Sequence, residues 1–109
     1  LTDVVKNLAQ SNPAATTSTD LYTVPDSTVA TITSLSICNQ NAGAGTFRVS
    51  VGVAGAVLAK KQYLYYDHAI AANDTVHIVI GLTLGPADVL RVYASNADMS
   101  FNLSGVETR

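Results

Sequence analysis

A chain of 109 residues is one domain's worth of sequence and, if all β, long enough to bury a core of its own. Nearly half of it is apolar (48%), while six Lys and Arg against eight Asp and Glu leave a net charge of −2, so Ser, Thr, Asn and Gly must carry the wet surface. That balance excludes a basic nucleic-acid platform, since the longest basic run, Lys60 and Lys61, cannot neutralise a row of phosphates.

Cys38 is the single cysteine, which excludes an internal disulfide framework and suits a reducing cytosol. No apolar run approaches the roughly 20 residues that span a bilayer, so no membrane partner is expected, and the first residues lack the basic start and apolar core of a signal peptide. The chain starts at Leu1 rather than Met, so processing or a preceding stretch is expected ahead of it.

In chain order, residues 1–9 place Leu1, Val4, Val5 and Leu8 at the spacing of two amphipathic helical turns. Residues 10–20 (QSNPAATTSTD) turn polar and small around Pro13, an extended connector by composition. Residues 1–20 therefore read as an N-terminal arm reaching a neighbouring subunit, or as a frayed terminus, and residues 21–109 as the packed domain.

Residues 21–24 are a short strand closed by a turn at Pro25, Asp26 and Ser27. Residues 28–38 (TVATITSLSIC) are β-branched, but their alternation slips, with Ala30 and Ile32 on one parity and Val29, Leu35 and Ile37 on the other. A bulge over residues 31–33, or cover on both faces, is expected. The Asn- and Gly-rich residues 39–45 make a turn, and residues 46–53 (TFRVSVGV) alternate Phe47, Val49, Val51 and Val53 with Thr46, Arg48, Ser50 and Gly52. These two strands are expected to form a hairpin.

Residues 54–58 suit a surface loop. Residues 61–67 (KQYLYYD) form a strand with Tyr63 and Tyr65 on one face and Leu64 and Tyr66 on the other. Residues 75–80 bury Val76, Ile78 and Ile80 and turn His77 away, and residues 81–88 form a turn through Gly85 and Pro86. Residues 89–94 and 99–103 then pair as a closing hairpin. About seven or eight strands at this spacing predict an all-β fold, an antiparallel β-sandwich of jelly-roll type with an extended N-terminal arm.

Catalytic and metal-binding patterns are not visible. His68 and His77 have no Cys or second acid at ligand spacing, and Asp67 beside His68 points to the opposite face of a strand. No serine sits in a nucleophile elbow, and the glycines near residues 42–45 precede a strand rather than a helix N-terminus. No enzyme activity, cofactor or metal is expected. The tyrosines exceed a bland reading. Tyr63, Tyr65 and Tyr66 fall so close that one face carries two rings about 7 Å apart, leaving core packing, a subunit interface and a stacked sugar as open roles.

LYTVP at residues 21–25, SICN at 36–39, FRVSV at 47–51, YLYYD at 63–67, NDT at 73–75, VLRVYAS at 89–95 and FNLSGVE at 101–107 together resemble a group of small virion proteins of tailed bacteriophages. Members more often carry Ala-Gly after the LYTVP proline, where this chain has Asp26 and Ser27. The resemblance implies a non-enzymatic β-sandwich that assembles in the host bacterial cytoplasm and resides in the virion. Its implied partners are further copies of itself, as a trimer or dimer, and other virion proteins: the major capsid protein for a capsid decoration or cement protein, or neck and tail proteins. A cement protein would attach through Leu1, Val4, Val5 and Leu8; a neck, tail, baseplate or fibre module would use its tyrosines or loop tips on a host glycan.

Overall fold

Alternating side chains commit most of this chain to strands, and a computed structural model describes residues 2–109 with eight of them. In chain order they are β1 (Asp3–Ser11), β2 (Thr19–Thr23), β3 (Val29–Asn39), β4 (Gly45–Gly52), β5 (Tyr63–Ile70), β6 (Thr75–Leu84), β7 (Val89–Ala94) and β8 (Met99–Thr108). They form two four-stranded sheets, ordered β1-β8-β3-β6 and β2-β7-β4-β5, and every ladder is antiparallel. The protein is an antiparallel β-sandwich with jelly-roll connectivity, the chain passing from one sheet to the other at nearly every turn.

That connectivity corrects both expected hairpins. Strands β3 and β4 lie in different sheets, as do β7 and β8; among consecutive strands only β4 and β5 pair. Turn-forming residues reverse the chain's direction but do not say which sheet receives the returning strand. What ties these crossings together is Asn39, fully buried at the end of β3. Its Nδ2 donates to the Gly43 and Ala71 carbonyls, both at 3.1 Å, and its Oδ1 accepts from the Asn41 amide at 3.1 Å. One side chain thus supplies partners to the connections on either side of two sheets. At the other end, Asp88 accepts from the Ala54 and Gly85 amides at 2.8 Å each.

The expected helix over residues 1–9 is instead edge strand β1, paired to β8 from Asp3 opposite Thr108 to Ser11 opposite Phe101. Its register shifts between Asn7 and Ala9, so Leu8 and Ala9 both turn inward, and the broken alternation imitates helical spacing. The segment expected as an arm is therefore laid down as a sheet edge, with residues 12–18 crossing to the second sheet. Leu1 lies outside the described residues. Strand β6 also runs on to Leu84, four residues past its expected end, so the turn begins only at Gly85.

Other expectations hold. The register of β3 shifts between Ile32 and Ser34 against both neighbours, placing the bulge at Thr33. Ala30 and Ile32 then face the core on one side of it, Leu35 and Ile37 on the other. Phe47, Phe101, Met99, Leu103 and Ile37 make up the fully buried centre.

The two sheets are clamped on the β1–β2 side by a buried carboxylate. Glu107, 2% exposed, accepts from the Tyr22 hydroxyl at 2.5 Å across the sandwich and meets Arg109 at 2.6 Å and Lys6 at 3.3 Å. The Tyr22 hydrogen bond, then that of Arg109, hold the Glu107 carboxyl at about 2, below its usual 4.5. Burial, and then the adjacent carboxylate, push the Tyr22 phenol above its usual 10. On the opposite side β5 and β6 enclose a small apolar void of about 10 Å³ between the sheets, lined by Leu64, Tyr65, Ile78, Ile80 and Leu82 among others.

Candidate interaction surface

Strand β5 carries the tyrosines, and two register shifts against β4 decide where they point. Between Tyr65 opposite Val49 and His68 opposite Phe47, β5 holds one more residue than β4, and Asp67 takes the left-handed φ of 48° that this bulge needs. A second extra residue lies between Tyr63, opposite Ser50, and Tyr65. The consequence overturns simple alternation. Tyr65 turns inward, with Phe47 at 6.1 Å and His68 at 5.6 Å between ring centroids. Tyr63 and Tyr66, expected on opposite faces, meet edge to face at 4.9 Å on the outside of the second sheet.

Around that pair lies a preorganised patch. Arg48, on the wet face of β4, sits 4.3 Å from the Tyr66 ring centre and 4.1 Å from that of Tyr93 on β7, so its guanidinium is held between two aromatic faces. Asp67 receives the Arg48 Nε at 2.6 Å and a terminal nitrogen at 3.3 Å, and this hydrogen bond pushes the guanidinium further up, keeping it charged. Next along the sheet, Arg91 donates to Asp20 at 3.0 Å and to the Ala56 carbonyl at 2.8 Å. Both arginines of the face are thus neutralised in place. Beside them Tyr63 and Tyr66, with Leu58, Ala59 and Lys60, line an open groove of about 620 Å³.

The outer face of the first sheet is built differently. Its outward rows, read from the register, run through Val5 and Val106, Asn7, Ser104 and Ser34, Gln10, Asn102 and Ser36, then Thr75, His77, Val79 and Thr83 on β6. Asp3 at one corner is the charged residue on these rows. Val5 and Val79 stand 79% and 80% exposed, whereas Val4 and Leu8 are half-buried on the inner side of β1. Of the expected attachment residues, then, the structure gives one to the surface and two to the packing.

Alternation in the sequence put Arg48 on a wet face, but nothing in it brought Arg48 and Tyr93 to Tyr66; that needed the β7-β4-β5 order. Chemistry of other kinds is scarce. His77 Nδ1 lies 2.6 Å from the Ser36 hydroxyl, His68 packs tilted against Phe47 at 5.1 Å between ring centroids, and no group of three or more His, Cys, Asp and Glu among the described residues could hold a metal ion.

No family model matches the chain, and no curated protein does. Among solved structures it is similar to a pentameric capsid protein isolated from metagenomic phage sequences, at 16% identity and a TM-score of 0.41. That match covers 98% of this chain and 61% of the capsid protein, so the chain spans about three fifths of its neighbour's length.

Proposed function

We propose that this protein is a non-enzymatic structural component of a tailed-phage virion, a capsid decoration or cement protein that oligomerises and binds the particle surface. The observation that carries the reading is the shortage of free charge on both outer faces: Asp3 alone on the rows of the first sheet, and on the second Arg48 and Arg91 already neutralised by Asp67 and Asp20, with Lys60 at the groove the exception. Uncharged faces cost little to dehydrate against a neighbouring subunit, charges already paired cost less than free ones, and tyrosine with arginine is the composition of interface hot spots. The resemblance of seven sequence motifs to small phage virion proteins supports the virion as the location. Attachment runs through the β1 edge, where Val5 presents its side chain to a neighbouring capsid subunit while Val4 and Leu8 hold the strand to the body.

The test is to add purified protein to particles lacking it, then to locate and count it by averaged electron microscopy. Hundreds of copies on lattice axes, lost on Val5→Lys, support the cement reading. A small fixed number at one vertex or along the tail refutes it. The groove of Tyr63, Tyr66 and Lys60 favours a second reading for that outcome, a neck, tail, baseplate or fibre module in which the rings stack on a host glycan. Glycan binding abolished by Tyr66→Ala at unchanged stability would carry that reading.

A further inference from the structure

A sandwich of two sheets has four edge strands, and here three of them are blunted. Strand β2 is five residues long, with Asp20 and a register shift. Strand β1 carries Asp3, Lys6 and the shift at Leu8. Strand β5 is bent by two shifts and by Asp67 in the left-handed region. These are the devices by which sheets avoid pairing with other chains. Strand β6 (TVHIVIGLTL) is blunted least: ten residues, no Asp, Glu, Lys or Arg, no proline, hydrogen-bonded only to β3 among the described residues, with a single extra residue against β3 between Val79 and Leu82. The register shift opposite Ile32 and Ser34 leaves its own alternation intact, with Val76, Ile78, Ile80, Leu82 and Leu84 inward throughout.

We propose that β6 is a self-association edge: two copies pair β6 to β6, antiparallel, about a two-fold axis at Val79, joining their first sheets into one continuous sheet. The strand is complementary to itself in that register. On the outer face Thr75 meets Thr83 of the second copy, Val79 meets Val79, and His77 meets Gly81, beside which no atom lies within 4 Å and an imidazole has room. On the inner face Val76 meets Leu82 and Ile78 meets Ile80, so apolar pairs extend over the edge where Leu64, Tyr65, Ile78 and Ile80 line a small void between the sheets. Nine paired residues make a seam about 30 Å long in which no like charges face each other. A two-fold contact uses the same patch on both copies, which a self-complementary strand supplies and an unrelated partner does not. The inference rests on the oligomeric part of the proposed function and is independent of where on a particle the protein sits.

The experiment compares Val79→Cys with Val5→Cys, each with Cys38→Ser, because the two valines are equally exposed on opposite edges of one sheet. Under mild oxidation Val79→Cys should cross-link into a covalent dimer at least tenfold faster than Val5→Cys. Separately, Val79→Lys places two like charges at the axis, leaves the core untouched, and should weaken the dimer at least tenfold in sedimentation equilibrium. An unmodified chain that stays monomeric at all concentrations overturns the proposal, as do equal cross-linking rates. A dimer that Val79→Lys does not weaken also overturns it, while leaving an oligomeric virion protein that associates by another face. Intact dimers that fail to bind particles would instead overturn the virion reading and leave the β6 contact standing.

Discussion

Replacing Glu107 by Gln keeps the shape of the buried side chain and removes its charge, which isolates what that charge does for the fold. A carboxyl held at about 2 in the folded state against 4.5 when free contributes stability that is fully present above pH 4.5 and lost as the pH falls through about 2. At about 1.4 kcal/mol per unit, the difference amounts to roughly 3 kcal/mol at pH 7, roughly 1 at pH 3 and under about 0.5 at pH 2. The Lys6 and Arg109 side chains are 44% and 51% exposed, so solvent screens part of their share. We therefore expect Glu107→Gln to cost about 2–3 kcal/mol near neutrality, a drop of roughly 8–15 °C in Tm for a domain of this size. The assay is urea denaturation of both forms between pH 2 and 7, taking the difference at each pH so that the other carboxylates cancel. A penalty that is the same at pH 3 as at pH 7 would refute the reasoning, because the loss would then come from shape or hydrogen bonding rather than charge.

Three further substitutions test the placement of side chains. Tyr65→Ala should cost about 2–3 kcal/mol, since its ring packs on Phe47, whereas Tyr66→Ala, at 60% exposure, should cost about 1 kcal/mol or less; the reverse order in denaturation midpoints would undo the face assignment. Asn39→Ala strips four hydrogen bonds from a fully buried junction and should lower stability by about 2–4 kcal/mol, read from the same midpoints. Gly105→Ala drives a methyl group into the Thr31 carbonyl oxygen beside the β3 bulge and should cost about 2–3 kcal/mol, with amide exchange quickened along β3 and β8.

Where one face of a strand is wet and the other dry, the sequence told the fold in advance. The alternation of TFRVSVGV delivered β4, VLRVYA delivered β7 to the residue, and the slipped parity of β3 announced its bulge. Reading failed where a bulge breaks that period without leaving a second clue. One extra residue at Leu8 turned a strand into an apparent helix, and two in β5 exchanged the faces of Tyr65 and Tyr66. Pairing was less legible still, because hydrogen-bond partners in a jelly roll are distant in the chain and local turn chemistry carries no record of them. Glu107 was missed altogether: a glutamate third from the end of the sequence looks solvated until β1 and β2 are folded around it.

The pairing of β1 with β8 also sets an order of events during synthesis. Gln10 bonds Asn102, 92 residues later, which at about 5–20 residues per second means a wait of roughly 5–18 seconds on the ribosome before β1 has anything to pair with. Through that interval Val4, Val5 and Leu8 stand outside the ribosome as an unpaired apolar tail, while the Asn39 junction can already draw β3 and β4 toward the β5–β6 connection. Closure of the first sheet thus has to wait until β8 is made, and holding chaperones have their window before it rather than after.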